Sequence, residues 1–344
     1  MVSIKDISIR CGVSVATVSK ALNDHSDIAE STKERIRQAA KDMGYFPNSS
    51  AIALKTNRTY NLGVLFVDEA QSGLTHEYFA HVLDSFKVEA EKRGYDITFI
   101  NKHSGHKSMS YYEHSRYRGV DGVVIACIDF SDPDVIELIN GDIPVVTIDH
   151  VFDNRTAIIS DNIKGMRDLT NYVYSMGHRK IAYIHGADSS VTRNRLGSFY
   201  HTLSQLNLNI SDEYVREGVF HNTEVTARIT TELLNLDDRP TCILFPDDFS
   251  CIGGLNAIKA HRLRVPDDIS VVGYDGVLLS QVLDPKITTL KQDTKVLGRV
   301  AAEKLITLIE KPKSALIERV VIEGELLKGN SVKRLKNPNW KIPY

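Results

Sequence analysis

The 344-residue chain has little cysteine, little tryptophan and little net charge: four Cys, one Trp and a formal charge of −2. Cys11, Cys127, Cys242 and Cys251 are scattered and form no CxxC pair. That spacing argues against a disulfide framework or a cysteine-ligated metal, and predicts reduced, buried thiols in a cytoplasmic protein. No apolar run reaches the roughly 18 residues that a membrane-spanning helix needs. The opening MVSIKDISIR lacks the basic-then-apolar layout of a secretory signal, so the expected location is the cytoplasm. There is no GxGxxG, no phosphate loop and no GxSxG. No enzyme and no cofactor is therefore expected. His76-Glu77…His81 superficially resembles a zinc motif. Its two histidines are five residues apart, about 140° around a helix, whereas two zinc ligands on one face need a spacing of four. Both are expected to be solvated. His103, His106 and His114 fall in a polar connection and the helix after it, and no metal site is expected there either.

What is present is unevenly distributed. Residues 1–58 hold nine Lys/Arg and six Asp/Glu, while the remainder holds 33 and 38. A small basic head on an acidic body suits a polyanion partner. The head shows three helical patterns and no strand. Ile4, Ile7 and Cys11 recur at helical spacing, as do Val18, Ala21 and Leu22, and then Ile36, Ala39, Ala40 and Met43. Ser3 and Ser14 are candidate N-caps, Gly12-Val13 a turn, and Gly44 with Pro47 a stop.

From Leu62 onward the pattern alternates. Apolar runs read as strands at 62–67, 95–100, 122–127, 144–149, 180–185, 241–245 and 269–275, with amphipathic stretches between them such as 77–94 and 162–177. Alternation of this kind predicts parallel sheets covered by helices on both faces, with enough units for two lobes. Ligands of such sheets bind beyond the carboxyl ends of the strands, here in the cleft between the lobes. Gly253-Gly254, inside a helical pattern, predicts a close-packing point.

Two short helices joined by a turn, the second opened by a capping serine, read as a helix-turn-helix. Val18, Ala21 and Leu22 would face inward. Val15, Ala16, Thr17, Ser19 and Lys20 would face outward, and such small side chains let a backbone enter a major groove. Thr17, Ser19 and Asn23 can bond phosphates, Val15 and Ala16 can pack on thymine methyls, and Lys20 can donate to guanine. A three-helix bundle that binds no DNA would show the same helical pattern.

The stretch VSIKDISIRCGVSVATVSKALN, continuing to GYFPNSSAIALKTNRT, closely resembles the DNA-binding head of the lactose/galactose repressor family. The likeness extends over nearly the whole chain through EYF (77–79), GVDGVV (119–124), IDH (148–150), MGHRKIAYI (176–184), SVTRNRLGSF (190–199), ISVVGYD (269–275) and ITTLKQD (287–293). The resemblance implies a homodimeric regulator of transcription, most often a repressor. It would bind near-palindromic double-stranded DNA through an all-α helix-turn-helix head. A small effector would bind in a two-lobed α/β core of periplasmic-binding-protein type. The expected organisation is a head over 1–46, a hinge over 47–59, one lobe over 60–160 and 291–320, the other over 161–290 and 321–330, and a tail over 331–344. The tail lacks a leucine heptad, so a dimer rather than a tetramer is expected. A transport-type sugar-binding protein without regulatory DNA binding shares the two-lobed core and is the alternative.

Two head positions depart from the family pattern. Ala29 stands where a capping residue usually opens the third helix. The start then rests on Glu30 near the helix dipole, or shifts to a capping box at Ser31–Glu34. Lys20 stands where arginine is common, and supplies a point charge in place of a planar fork. In the hinge, residues 48–56 read equally as a tether or as a helix of two turns. The resemblance implies a helix that folds on DNA, with Ser14, Asn48, Ala51, Leu54 and Lys55 among the contacts and Leu54 wedged into the minor groove.

In the core, Asp149, Arg195, Asp247, Asp275 and Gln292 lie at strand ends or in the loops after them, where the family holds the effector's polar groups. By the same resemblance Tyr78, Phe79 and Phe220 supply aromatic faces. An Asp after a strand is also commonly a helix cap or turn residue, and Phe79 could be core. Three carboxylates disfavour an anionic ligand and suit a neutral sugar, though a nucleoside would use similar chemistry. Asp247 and Gly276 depart from the residues usual at those places in the family.

Overall fold

The structure, a computed structural model, describes residues 2–46, 58–68, 73–105 and 107–335. Two compact units are separated at the junction of Thr59 and Tyr60. Asn48, Ala51, Leu54 and Lys55, and the hinge segment they belong to, lie outside the described residues except for Arg58 and Thr59.

The head unit contains α1 (Ile4–Cys11), α2 (Val15–Leu22) and α3 (Glu30–Asp42). Ser3 and Asp6 form a reciprocal capping box: the Ser3 hydroxyl accepts from the Asp6 N–H and the Asp6 carboxylate accepts from the Ser3 N–H. Gly12 ends α1 at φ 62°, a left-handed conformation that glycine adopts without strain. Two residues later the Ser14 hydroxyl accepts from the Thr17 N–H at 3.1 Å and opens α2. Ile7, Val18, Ala21, Ile36 and Ala40 make the core that joins the three helices, with Leu22 half-buried beside it.

The third helix starts at Glu30 with Ala29 at its N-cap and no side-chain cap; the Ser31–Glu34 box does not form. An ion network stands in its place. Lys33 is buried and its ammonium lies 3.0 Å from Asp24 and 3.3 Å from Glu30. Arg37 reaches the same two carboxylates at 2.8 and 3.2 Å. Asp24 belongs to the loop after α2, so the network ties the first turn of α3 to the preceding chain. The hydrogen bond from Lys33, and then its charge, hold the Asp24 carboxyl below the usual carboxylate range.

The core unit is built on two six-stranded sheets. The first has the order β13-β7-β6-β5-β1-β2, made of Arg319–Ile322, Thr156–Ser160, Val145–Ile148, Gly122–Ala126, Asn61–Phe66 and Asp96–Phe99, all parallel. The second has the order β14-β12-β11-β10-β8-β9, made of Glu325–Leu327, Thr288–Lys291, Ser270–Asp275, Cys242–Leu244, Ile181–His185 and Val215–Glu217, with only β14 antiparallel. A small hairpin, β3 (His103–Ser104) and β4 (Lys107–Ser108), lies apart from both.

The helices of the core are α4 (Glu77–Lys92), α5 (Tyr111–Arg118), α6 (Pro133–Asn140), α7 (Asn162–Ser175), α8 (Ser190–Gln205), α9 (Thr223–Leu234), α10 (Asp248–Ala260), α11 (Leu278–Val282) and α12 (Thr294–Glu310). Central strands are buried end to end, as parallel strands covered on both faces must be: every residue of β5 and β6 is buried. Phe86 of α4 and Leu297, Ala301 and Leu305 of α12 pack together over the first sheet. Met166, Leu169 and Val173 of α7 cover the second. Gly253 of α10 brings that helix against the start of α9, where an added Cβ would stand 2.0 Å from the Thr223 carbonyl oxygen; the expected close approach is present.

The chain passes between the sheets after β7, after β12 and between β13 and β14. The first two passages end in a helix capped by an aspartate, Asp161 for α7 and Asp293 for α12. Their neighbours Asn162 and Gln292 are thereby fixed at the crease.

Ala29 already has extended backbone angles suited to a cap, φ −59° and ψ 140°. Ala29→Ser should therefore stabilise the head by about 1 kcal/mol, measured as the shift in its urea midpoint. No shift would mean that the Asp24–Lys33 network already satisfies this helix end.

Candidate DNA-reading helix and ligand cleft

On α2 the expected faces separate. Val18 and Ala21 are fully buried, whereas Val15, Ala16 and Lys20 are exposed and Thr17 and Ser19 half-buried. The outer face is therefore a row of small side chains with one long one. The hydroxyl of Ser14 is committed to the cap and lies 2.9 Å from that of Thr17. Asn23 donates from its amide to the Ser19 carbonyl at 2.7 Å, closing the helix end. The Lys20 ammonium is paired with Asp27, whose carboxyl that bond pulls down in pKa. Both side chains are about half exposed, so the pair holds Lys20 only weakly.

In the core, the ends of β6, β8, β10 and β11 and the two capped passages converge. Arg195 on α8 is 4% exposed. Its Nε donates to Asn162 Oδ1 at 2.7 Å, its Nη1 donates to the Pro246 carbonyl at 2.9 Å, and its guanidinium lies 3.4 Å over the Tyr274 ring. Burial opposes its charge, but Tyr274, Asp275, Tyr183 and Asp149 together outweigh that and stabilise the cation.

Asp275 ends β11 at φ 102°, a strained angle for a residue with a Cβ. Its Oδ1 accepts from Gln292 Nε2 at 2.7 Å. Burial pushes its carboxyl up to about 7, with Arg195 working against the shift. The other amide atom, Gln292 Oε1, is buried and has no hydrogen-bond partner among the described residues. Asp149, at φ 58° after β6, accepts from the Tyr78 hydroxyl at 3.0 Å and from the Ser160 N–H at 2.9 Å. Burial raises its pKa too. Cys127 and His221, after β5 and β9, also sit at positive φ. Such strain at the carboxyl ends of strands marks a site shaped for something other than stability.

The remaining expected residues have more ordinary neighbours. Asp247 is the N-cap of α10: its Oδ1 accepts from the Ser250 N–H at 2.6 Å, and its Oδ2 accepts from the Ser250 hydroxyl and the His221 N–H. Its acceptors are largely used within the chain. Phe79 is half-buried against Tyr78, Phe66 and the core of the first lobe. Phe220 is half-buried, presses on Gly186 and stands 5.9 Å from the Arg195 guanidinium. Tyr78 is buried and bonded through its hydroxyl.

Two expectations are overturned: Cys11 and Cys127 are only partly buried, unlike Cys242 and Cys251, and one of the paired histidines is not exposed to water. His76 is not solvated: it is 9% exposed and stacks on His221, while His81 is the exposed member of the pair, 3.8 Å from Glu77. Residue 76 precedes α4, and the chain fold brings the loop after β9 against it, a contact that helical spacing cannot reveal. His114 is likewise buried and accepts from the Asn101 N–H. Sequence reading also missed Asn162, Tyr274 and Asp248. Asn162 follows a strand too short to stand out, and Tyr274 was taken as part of an apolar run. Asp248 is 1% exposed, with Oδ2 accepting from the Val277 N–H and Oδ1 without a partner among the described residues.

The family model described as bacterial regulatory proteins, lacI family, matches residues 3–48, and the periplasmic binding protein-like domain matches residues 170–332. A curated relative in Bacillus subtilis (strain 168), named as a probable HTH-type transcriptional repressor ExuR, is 30% identical over 338 residues, covering 97% of this chain and 99% of that protein. The HTH-type transcriptional repressor PurR of Mannheimia succiniciproducens is 30% identical over 341 residues, covering 97% and 100%. Among solved structures, the lac repressor dimer bound to operator and the anti-inducer ONPF is 25% identical with a TM-score of 0.82, covering 96% of this chain and 99% of that one. With full-length relatives at this identity and the head motif in place, the chain belongs to the lacI family of bacterial regulatory proteins and is a DNA-binding transcriptional repressor.

Proposed function

We propose that this repressor binds a near-palindromic operator as a cytoplasmic homodimer, and that a neutral, hydroxyl-rich effector such as a sugar, seated between its core lobes, controls that binding. The observation that carries the reading is the cleft's mixture of groups. Arg195 is one buried cation facing carboxylates at Asp149 and Asp275, and Gln292 Oε1 is a buried acceptor that lacks a donor. Adjacent hydroxyls donate and accept at once, and satisfy such a set without adding charge. A phosphate or carboxylate ligand would meet the carboxylates at close range in a low dielectric. On this reading Asp149, Arg195, Asp275 and Gln292 hold the polar edge, Tyr78, Phe79 and Phe220 shape the apolar edge, and Asp247 acts by pinning the His221 loop.

The outward residues of α2 read DNA in this proposal: Val15 and Ala16 by methyl contact, Thr17, Ser19 and Asn23 at phosphates, and Lys20 at a guanine. Small outer side chains support the close approach of backbone to groove. The lobe limit at 160/161 belongs to the same proposal, whereas the sheets move the other two: β12 carries the second lobe through Lys291 and β13 carries the first through Ile322, so the expected limits at 290/291 and 320/321 each fall inside or at the edge of a strand. A transport-type role without DNA binding would leave the head purposeless.

Selection of bound duplexes from a random pool, repeated with a panel of neutral sugars, nucleosides and phosphorylated sugars, tests this directly. Recovery of one near-palindrome, with binding altered by a neutral sugar and not by its phosphate ester, is expected. Enrichment of no sequence, or a response only to the phosphorylated compounds, overturns it.

Lys20→Ala should cost roughly 1–3 kcal/mol at one base pair per half-site, read by competition between operators differing at that pair. A loss equal on all duplexes would assign Lys20 to a phosphate instead.

Asp275 supplies a pH dependence. Its raised pKa means that the folded chain binds a proton the unfolded chain has released, between about pH 4 and about 7. That contribution destabilises the fold progressively as pH rises through this window and is constant above it. Asp275→Asn should remove it, so the stability difference between variant and wild type should grow from pH 5 to pH 8 in the variant's favour. Parallel profiles would show that Asp275 ionises in the folded protein as it does in water.

A further inference from the structure

Four rings form a continuous ladder across the mouth of the crease. Phe79 stands edge-on to His76, with centroids 5.0 Å apart. His76 stacks on His221 at 4.3 Å and 18°, and His221 stacks on Phe249 at 4.0 Å and 11°. Phe79 and His76 belong to the lobe of the first sheet, at the start of α4. His221 and Phe249 belong to the other lobe, after β9 and at the start of α10. The lobe boundary therefore runs between the two imidazoles. Two hydrogen bonds cross it nearby: the Ser190 hydroxyl donates to the Asp149 carbonyl at 2.8 Å, and the Leu278 N–H donates to Glu77 Oε1 at 2.7 Å.

We propose that the His76–His221 stack is a clasp that positions the lobes against each other, and that it loosens when the His76 imidazole takes up a proton. The clasp itself does not depend on a ligand; its consequence, weaker effector binding in mild acid, rests on the cleft reading above.

A proton on His76 would be a charge buried without a partner. His76 Nδ1 is buried with no hydrogen-bond partner among the described residues, so an added proton there would have no acceptor. His76 is also the N-cap of α4, where the helix dipole opposes positive charge. Burial, and then the His221 ring, hold its pKa below the ordinary imidazole value. Asp68 from the loop after β1 and Asp247 from the cap of α10 pull the other way without prevailing. Glu77 opens α4 next to His76, and His81 stands one turn further on, 3.8 Å from Glu77. With the lobes apart, the imidazole faces water and titrates near pH 6.5. The closed state then binds fewer protons than the open one, so closure is favoured above that pH and disfavoured below it.

The Leu278 amide reports closure without any ligand, because its hydrogen bond crosses the crease. Hydrogen exchange of the full-length protein, expressed as a protection factor to remove the intrinsic pH effect, should show that amide losing up to about tenfold in protection from pH 7.5 to about 5.5. His76→Phe keeps a ring and removes the proton site, so its protection should not change with pH; His221→Phe keeps the stack and the His76 site, so it should keep a pH response. His76→Ala should lose protection at both pH values. Asp275→Asn should keep the wild-type response. A flat wild-type profile, an unchanged response in His76→Phe, or a response abolished by Asp275→Asn would overturn the clasp. Because no effector is present, none of these results bears on whether a sugar binds in the cleft.

Discussion

Charge held out of water between two sheets is the constraint around which the core is built. Arg195 cannot be left alone at 4% exposure, and the fold answers with a ring beneath it, an amide at Nε and a carbonyl at Nη1. Each partner comes from a different piece of chain: Tyr274 from the penultimate position of β11, Asn162 from the first passage between the lobes, and Pro246 from the loop after β10. The guanidinium thus gathers the strand ends of the second lobe at the boundary with the first. Asp275 and Asp149 complete the arrangement at the cost of strained backbone and raised pKa values. A core optimised only for stability would replace such a set with packed apolar side chains. Its retention fits a site that must recognise a polar molecule.

The head follows a different economy. Its core is a handful of side chains, chiefly Ile7, Val18, Ala21, Ile36 and Ala40, so its outline depends on helix ends. Ser3, Gly12 and Ser14 set the first two helices by capping. The third lacks that device and substitutes the network of Lys33 and Arg37 with Asp24 and Glu30. The outer face of α2 contributes nothing to this core. That freedom leaves Val15, Ala16 and Lys20 exposed.

Much of this was legible in the residues, and the reasons for the gaps are physical. Ser14 as a cap, the inward set on α2 and the strands at 62–67, 122–127 and 269–275 could be read because each follows a local rule of capping or periodicity. Strands such as β7, β9 and β12 to β14 carry three to five residues, some at sheet edges, and leave no comparable pattern. Asp247 was named for its place after a strand, and it is there, with its oxygens turned to the cap of α10. His76 and His221 are 145 positions apart in the chain, and only the tertiary fold stacks them. Asn162 became visible as a partner of Arg195 for the same reason.

In the proposed function, occupation of the buried polar crease changes how the head binds DNA. It is tested most directly by measuring operator affinity, with and without a saturating sugar that binds the wild-type core, for the wild type and a folded Arg195→Leu variant. A shift of at least about fivefold is expected in the wild type and none in the variant, with equal affinity of both for operator in the sugar's absence. A full shift in the variant, or a bound sugar that leaves wild-type operator affinity unmoved, would contradict it.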